Sequence, residues 1–298
     1  MFRSTLASQV RGWSKRIGTS SRRSRRLPPL TPATSVLCSA GGTALSRAYK
    51  LTKRMSEDVD LKIVCAAPPS RGALRKLRSD VTDALLAADF VFDPENEQHR
   101  VSMYRGHYTR YQLPYTPLAQ GKGLRPSVQI ETSVWPLRRD AIDKPVISFV
   151  AEAYGRAAEL PKIACSSLLE TAAEKFVALT WRAGSALAGL RKERDPTLVR
   201  HIYDLHMIRD QHDAAETAAL AHEVMKADAQ TRGDRFRAWQ RDLVGETLRA
   251  IDGIPKDKVF VDGYMEFLRD MVYGEKPDFA TAMATLKSLA EQLRRLPK

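Results

Sequence analysis

Two aspartates separated by a single valine, Asp58 and Asp60, are the side chains whose spacing first suggests a chemistry. They open a stretch, residues 58–65, in which polar and apolar side chains alternate, and this alternation predicts a half-buried strand. Side chains at positions i and i+2 of a strand point the same way, so the two carboxylates converge. Converging carboxylates bind Mg²⁺ together with the phosphate oxygens of a substrate. Two metal ions held in this way could activate an attacking oxygen and stabilise a leaving pyrophosphate.

The residues ahead of this strand predict a turn that binds phosphate. Gly41, Gly42 and Thr43 begin a segment of helical composition that continues to residue 52. A glycine pair lets the backbone approach an anion closely, and the start of a helix presents free N–H groups and a positive dipole end. Thr43 adds a hydroxyl. Together these features suit a triphosphate.

A second alternating stretch, residues 127–134, predicts a further strand with Glu131 on its polar face. Because Glu131 has the same facing as Asp58 and Asp60, it is the candidate for a third metal-binding carboxylate. A purely structural role is the alternative for each motif taken alone. Glycine pairs often form plain turns, and a D-x-D strand often presents a solvated face.

The order of glycine turn, short helix and D-x-D strand fits the minimal nucleotidyltransferase fold of the polymerase-β type. It does not match the glycine patterns of dinucleotide-binding or P-loop proteins. We expect an α+β domain over residues 37–160, with an amphipathic helix over 73–89 and an aromatic hairpin over 100–113. The alanine-rich remainder, residues 161–298, predicts a helical C-terminal domain.

The net charge of +13 is concentrated at the N-terminus. Twelve of the 48 basic residues precede Glu57, the first acidic residue, so 36 basic residues face 35 acidic ones in the rest of the chain. The predicted domains are therefore close to neutral. Residues 1–36 have the composition of a transit peptide, of a disordered basic arm that contacts nucleic acid, or of a misassigned start, and these alternatives remain open.

Cysteine usage and hydropathy indicate a soluble, cytoplasmic protein. The three cysteines are scattered and form no C-x-x-C motif, which argues against a disulfide framework or a zinc site. No apolar run approaches the eighteen or so residues that a membrane span requires. We therefore expect no membrane partner.

Four motifs in a fixed order resemble the AbiEii/AbiGii family of nucleotidyltransferase toxins, which includes the mycobacterial MenT toxins. The family carries a GGT-x-L turn, an R-x-S-x-D-x-D signature, a helical motif with a lysine and an arginine, and a motif ending in Y-D-L. The resemblance extends over residues 38–210. The matching segments of this chain are GGTALSRAYKL, RMSEDVDL, EKFVALTWR at 174–182 and RHIYDLHMI at 200–208.

The resemblance implies specific roles for the matching residues. Asp60 completes the metal-binding pair with Asp58, and Arg182 lies two helical turns after Lys175, so both cations can meet phosphate charge. Asp204 either orients Lys175 or acts as a base, although a plain i, i+4 ion pair with Arg200 is the structural alternative. By resemblance Ser56, Asp58, Lys175 and Asp204 match the family's catalytic positions. We therefore expect catalytic roles for Asp58, Asp60, Lys175 and Asp204, and nucleotide binding by Gly41, Gly42, Thr43, Ser56 and Arg182.

The resemblance also implies the activity. We expect a Mg²⁺-dependent enzyme that transfers NMP from an NTP to a hydroxyl acceptor such as tRNA. It would act as the toxin of a toxin–antitoxin or abortive-infection system, with a cognate antitoxin encoded upstream. Two alternatives stay open: transfer of a nucleotide or phosphate to a protein hydroxyl, and a catalytically impaired relative that binds RNA or a partner.

Overall fold

The computed structural model describes residues 35–116, 125–191, 195–232 and 235–297. The basic segment 1–36 lies almost wholly outside these residues, so the predictions made for it stay predictions. Within the described residues, no helix is both long and apolar enough to cross a membrane.

The chain divides into two compact units. The first, here the sheet unit, contains the described residues up to Lys50 together with Ser56–Ser166. The second, the helical unit, contains Leu51–Met55 and the residues from Ser167 onward. The predicted class, an α+β part followed by a helical part, is confirmed. The sheet unit extends past residue 160 because a strand at its end pairs with the first strand of the unit.

The sheet unit is built on one mixed sheet. Its strands are β1 (Ser35–Ala40), β2 (Asp58–Cys65), β3 (Arg100–Met103), β4 (Tyr108–Pro114), β5 (Ser127–Ser133), β6 (Ile142–Val146) and β7 (Leu160–Cys165). Among the described residues they follow the order β3-β4-β5-β2-β1-β7-β6. β2 is antiparallel to β1 and parallel to β5, while β7 is parallel to β1.

Helix α1 (Arg71–Leu86) covers the apolar face of this sheet. Ser70 caps its N-terminus, accepting a hydrogen bond from the N–H of Ala73 at 3.2 Å. Leu61 on β2 is buried in the same core as Leu77 on α1. Because side chains alternate along β2, Asp58 and the other polar residues of the strand lie on the opposite face.

The predicted elements of the sheet unit are largely present. Two predicted strands are confirmed, 58–65 as β2 and 127–134 as β5. The predicted hairpin over 100–113 is confirmed as the β3–β4 pair. β6 and β7 were not predicted. Each contains a proline, at Pro145 and Pro161, and proline weakens the strand signal of a sequence because it cannot donate to the ladder.

A helical turn at Gly41–Thr43 continues into a π-helix at Ala44–Ala48, and a short helix α2 (Phe149–Ala153) follows β6. Arg47 of the π-helix is buried, donates to Glu152 at 2.9 Å and stacks over the ring of Phe149 at 3.6 Å. These contacts fix the π-helix to α2. They hold the segment that follows the glycine turn.

The helical unit consists of packed helices around an aromatic core. Its fully buried side chains include Trp239, Tyr203, Tyr264 and Phe176. The helices are α3 (Leu168–Leu187), α4 (Val199–Met207), α5 (Ala214–Arg232), α6 (Arg237–Arg241), α7 (Leu243–Gly253), α8 (Lys258–Met271) and α9 (Phe279–Arg294).

Replacing Leu61 by alanine is expected to destabilise the sheet unit by about 2–5 kcal/mol, because a buried leucine side chain is exchanged for a cavity. Val36→Ala is the matched control, since Val36 lies on the neighbouring strand but is 52% exposed. It should change the free energy of unfolding by about 0.5 kcal/mol or less. Urea unfolding of both variants measures the difference, and equal losses would contradict the assigned core.

Candidate active site

The turn after β1 lies directly against the Asp60 side chain. Ala40 pairs with Asp60 across the two antiparallel strands, and Gly41 follows with φ of +64°. A Cβ placed on Gly41 would lie 1.8 Å from Oδ2 of Asp60. Glycine is therefore required twice at this position, once for its left-handed backbone and once for the space that Asp60 occupies.

Two buried hydroxyls join the turn to the start of β2. Oγ1 of Thr43 lies 3.0 Å from Oγ of Ser56 and donates to the backbone carbonyl of Asp58. A hydroxyl has one proton, and a carbonyl can only accept. The single Thr43 proton is therefore shared between two acceptors, Oγ of Ser56 and the Asp58 carbonyl. This network fixes the distance between the turn and the aspartate strand.

The carboxylates lie in a polar row across neighbouring strands. β2 and β5 are paired so that Asp60 is beside Glu131 and Asp58 is beside Gln129. The side-chain amide of Gln129 donates to Glu131 at 2.7 Å. Tyr108 on β4 also bonds to Glu131, and burial together with the nearby carboxylates raises the pKa of this tyrosine. Glu131 therefore belongs to a hydrogen-bonded row on the same face as the aspartate pair.

Arg125 is a site residue that the sequence did not indicate. Its guanidinium forms an ion pair with Asp58 and lies 3.6 Å from Glu57. Its backbone N–H donates to Glu57 at 3.0 Å. It precedes β5 and belongs to no recognisable motif, so only the fold reveals the contact. The Asp58 carboxylate is thus paired with a cation, Arg125, of its own unit.

The donor set of this face fits a divalent cation that is bound together with substrate. In the described part of the chain, no group of three His, Cys, Asp or Glu residues is placed to hold a metal ion alone. Asp58 and Asp60 offer two carboxylates on one strand face, and both are only partly buried. Mg²⁺ is typically bound by one or two carboxylates and completes its coordination with phosphate oxygens and water. The role of Glu131 as a third ligand stays a prediction.

Asp204 is the centre of a second cluster, in the helical unit. It is completely buried on α4. Both of its oxygens accept from the guanidinium of Arg54 at 2.7 Å, and Oδ2 also lies 2.8 Å from Nζ of Lys175. Burial alone would raise the pKa of this carboxyl, but the charges and hydrogen bonds of Arg54 and Lys175 hold it well below its usual range. An ionised, fully occupied carboxylate orients Lys175 and is poorly suited to accept a proton.

Lys175 and Arg182 lie on α3 but have different partners. Lys175 contacts Asp204, whereas Arg182 forms an ion pair with Asp195 and remains a third exposed. His201 lies close to both cations. Burial first, and then the charges of Lys175 and Arg182, lower the pKa of His201, so this histidine is neutral. Its Nδ1 is buried and has no hydrogen-bond partner among the residues that the structure describes.

Arg54 stands in the R-x-S-x-D-x-D signature, but sequence reasoning gave it no role. Its segment, Leu51–Met55, belongs to the helical unit through backbone bonds as well as through the side chain. Arg54 bridges to Val272, and the N–H of Met55 donates to the carbonyl of Met271 at 2.8 Å. The partner of its guanidinium is 150 positions away in the sequence, so no local pattern could have indicated it.

The predicted site residues therefore form two sets, one in each unit. The sheet unit brings together the turn, the hydroxyls and the carboxylates, namely Gly41, Gly42, Thr43, Ser56, Asp58, Asp60 and Glu131. The helical unit brings Lys175 to Asp204 and adds Arg54. Arg182 lies on the same helix as Lys175 but pairs with Asp195.

Gly41→Ala should destabilise the sheet unit more than Gly155→Ala. Both glycines have positive φ, +64° and +59°, but a Cβ at Gly155 would meet nothing within 4 Å. Gly155→Ala therefore reports the backbone strain alone, about 1–2 kcal/mol. Gly41→Ala adds a collision with Asp60. Urea unfolding of both variants measures the extra loss, and equal values would argue against the close contact.

Asp204 should contribute stability that disappears in acid. A carboxyl whose folded pKa is lowered stabilises the fold above its unfolded pKa, about 3.9, and this contribution is lost as the pH falls from there toward the folded pKa. The gap in unfolding free energy between the unaltered protein and Asp204→Asn should stay constant from about pH 8 to pH 5 and shrink below about pH 4.

Denaturant unfolding at a series of pH values measures this gap. Asp252→Asn, at an exposed position of α7, is the matched control and should give a small difference from the unaltered protein at every pH. A gap for Asp204→Asn that persists undiminished to pH 2 would contradict the low pKa.

Comparisons with known proteins agree with the resemblance found in the motifs. The family model of the nucleotidyl transferase AbiEii toxin of type IV toxin–antitoxin systems matches residues 40–285. No curated protein sequence matches the chain significantly. The solved structure of MenT4, a nucleotidyltransferase toxin from Mycobacterium tuberculosis H37Rv, matches with a TM-score of 0.53 and 15% identity, and the match covers 99% of this chain and 85% of that one.

At that identity the structural likeness concerns the fold, and it confirms the predicted fold class. The family match covers most of the chain and includes both clusters of candidate residues. It implies a nucleoside triphosphate substrate and an antitoxin partner. The chain belongs to the AbiEii family of nucleotidyltransferase toxins of type IV toxin–antitoxin systems.

Proposed function

We propose that this nucleotidyltransferase uses Mg²⁺ to transfer NMP from an NTP to a hydroxyl of tRNA, in the cytoplasm, and that this modification makes it a toxin. The observation that carries the proposal is the aspartate pair of β2, which the glycine turn contacts directly. Two carboxylates on one strand face, beside a turn whose backbone is open to close approach, form a site for a metal–triphosphate complex.

Asp58 and Asp60 would hold the metal, which would neutralise charge at the phosphates and lower the pKa of the attacking hydroxyl. The backbone N–H groups at Gly41 and Gly42 would bind triphosphate oxygens. Thr43 and Ser56 would hold the turn at the correct distance from the strand, since the Thr43 hydroxyl donates to Ser56 and to the Asp58 carbonyl. This assigns the hydroxyls a supporting role in nucleotide binding.

In the reaction, the acceptor oxygen forms a bond to the α-phosphorus of the NTP. The bond from that phosphorus to the oxygen bridging the α- and β-phosphates breaks, pyrophosphate leaves, and the acceptor proton passes to solvent or a base. Lys175 would place its ammonium against the phosphate charge that grows in the transition state. Asp204 would keep that ammonium oriented, because it is itself ionised and buried. Arg182 would add a second positive charge.

The acceptor is the element of the proposal that rests on the family resemblance. A protein hydroxyl would require the same donor-binding residues, so it is kept as an outcome of the test. An impaired, binding-only relative is disfavoured by the intact set of Asp58, Asp60, Lys175 and Asp204. The antitoxin, encoded upstream in our expectation, would suppress the activity.

The proposal predicts that label from one of the four α-³²P-NTPs enters total bacterial tRNA in the presence of Mg²⁺. Asp58→Asn and Asp60→Asn should each reduce transfer by about 10²–10³-fold, because each removes a carboxylate that the metal requires. Asp143→Asn is the matched control. Asp143 lies on β6, three strands away from β2 in the same sheet, and forms an exposed ion pair with Lys162 of β7. The Asp143→Asn variant should transfer nucleotide at the rate of the unaltered protein. EDTA should abolish transfer by both proteins.

The products decide between the alternatives. Label in the protein fraction instead of the tRNA fraction would replace tRNA by a protein acceptor. Absence of label from every fraction, with protein whose unfolding transition is intact, would overturn the enzymatic proposal in favour of a binding-only relative.

A further inference from the structure

Two cations, Arg54 and Lys175, contact the single carboxylate of Asp204. Arg54 and Lys175 each contribute one positive charge, and Asp204 contributes one negative charge. The three side chains are 4%, 8% and 0% exposed, so little water screens them. A buried lysine–aspartate pair alone would be neutral. With Arg54 present, the cluster has a net charge of one.

Arg54 is the principal partner of Asp204. A guanidinium and a carboxylate match in two parallel hydrogen bonds, and both are present here at 2.7 Å. Lys175 makes a single contact, to Oδ2 at 2.8 Å. An ammonium has three N–H bonds, so this contact orients Lys175 while leaving capacity for phosphate oxygens.

The neighbouring titratable side chain does not alter this balance. His201 is neutral, because burial and the surrounding cations lower its pKa. It neither cancels the extra charge nor adds to it. Among Arg54, Lys175 and Asp204, the presence of Arg54 therefore decides whether the negative charge of Asp204 is compensated without Lys175.

We propose that Arg54 is a positioning residue for Lys175: it compensates the charge of Asp204, so that Asp204 orients the lysine without cancelling its attraction for the triphosphate. This inference rests on the proposed role of Lys175 in the transfer reaction. It assigns Arg54 a function in triphosphate affinity, beyond holding its own segment in place.

The segment that contains Arg54 is held independently of its side chain. The N–H groups of Tyr273 and Gly274 donate to the carbonyl of Lys53 at 3.0 and 3.2 Å, and Met55 donates to Met271. These backbone bonds persist when the guanidinium is replaced. Variants at Arg54 therefore test its charge with the segment still in position.

The test uses inorganic tripolyphosphate as a probe that requires no knowledge of the base. Its dissociation constant is measured by calorimetry for the full-length protein, four variants of the cluster and one control variant. Arg54→Met makes the cluster neutral and should weaken binding about tenfold to a hundredfold. Arg54→Lys keeps the charge and should bind within about threefold of the unaltered protein. The double variant Arg54→Met/Asp204→Asn restores a net charge of one and should recover most of the lost affinity.

Asp204→Asn alone raises the net charge to two. It should bind tripolyphosphate at least as tightly as the unaltered protein, while kcat for nucleotide transfer falls because Lys175 is less well oriented. This variant keeps the inference testable if Arg54→Met does not fold, which thermal unfolding reveals. Arg249→Met, which removes an exposed arginine paired with Glu246, is the matched control and should change neither quantity.

A merely structural role for Arg54 gives a different pattern. The double variant would then bind as poorly as Arg54→Met, since neither contains the guanidinium, and Asp204→Asn would weaken binding. Either result overturns the inference. If the unaltered protein binds tripolyphosphate but transfers no nucleotide, the proposed function fails while the binding pattern still decides the role of Arg54.

Discussion

The contact between the Gly41 backbone and the Asp60 side chain is the constraint on which the sheet unit's site depends. The antiparallel register of β1 and β2 brings Ala40 opposite Asp60, and the next residue must then turn with positive φ beside the carboxylate. Any Cβ at that position would overlap Asp60. The same register allows Thr43 to reach both Ser56 and the carbonyl of Asp58. One strand pairing thus places the turn and the two aspartates together.

The two clusters use burial in opposite ways. Asp58 and Asp60 are partly accessible, which suits carboxylates that must exchange water for a metal ion and phosphates. Asp204 is inaccessible and has two cationic partners, which suits a carboxylate that must keep its charge and its position. A buried carboxylate whose two oxygens both accept hydrogen bonds is rigid, and rigidity is what an orienting group requires. The roles we propose, metal binding for the aspartates of β2 and lysine orientation for Asp204, follow this difference in environment.

Arginine appears at both carboxylate sets, with different consequences. Arg54 meets Asp204 through two parallel hydrogen bonds in a buried environment, where Lys175 also contacts the carboxylate. Arg125 meets Asp58 at a site that remains partly exposed, where water screens the interaction more strongly. The first arrangement is a fixed element of the helical unit. The second places a cation beside the carboxylate that the proposed metal would share.

The sequence by itself determined the strands that carry the candidate carboxylates and the types of residue that carry the chemistry. Alternation along 58–65 and 127–134 was sufficient to find β2 and β5, because period-two patterns arise from local backbone geometry. Motif order was sufficient to identify the family. β6 and β7 escaped detection because their proline-containing sequences lack that alternation and depend on pairing with strands remote in sequence.

Tertiary structure alone decided what each candidate residue contacts. It placed Arg125 on Asp58 across 67 positions and Arg54 on Asp204 across 150, distances over which no periodicity operates. It also favours one of the two roles that the sequence left open for Asp204, the orientation of Lys175, because the carboxyl is ionised and buried. The pKa of a carboxyl follows from burial and neighbouring charge, and both are properties of the folded chain. Residue types and spacing limit which reactions are possible. The burial and neighbouring charges that packing creates then determine which role each side chain can have.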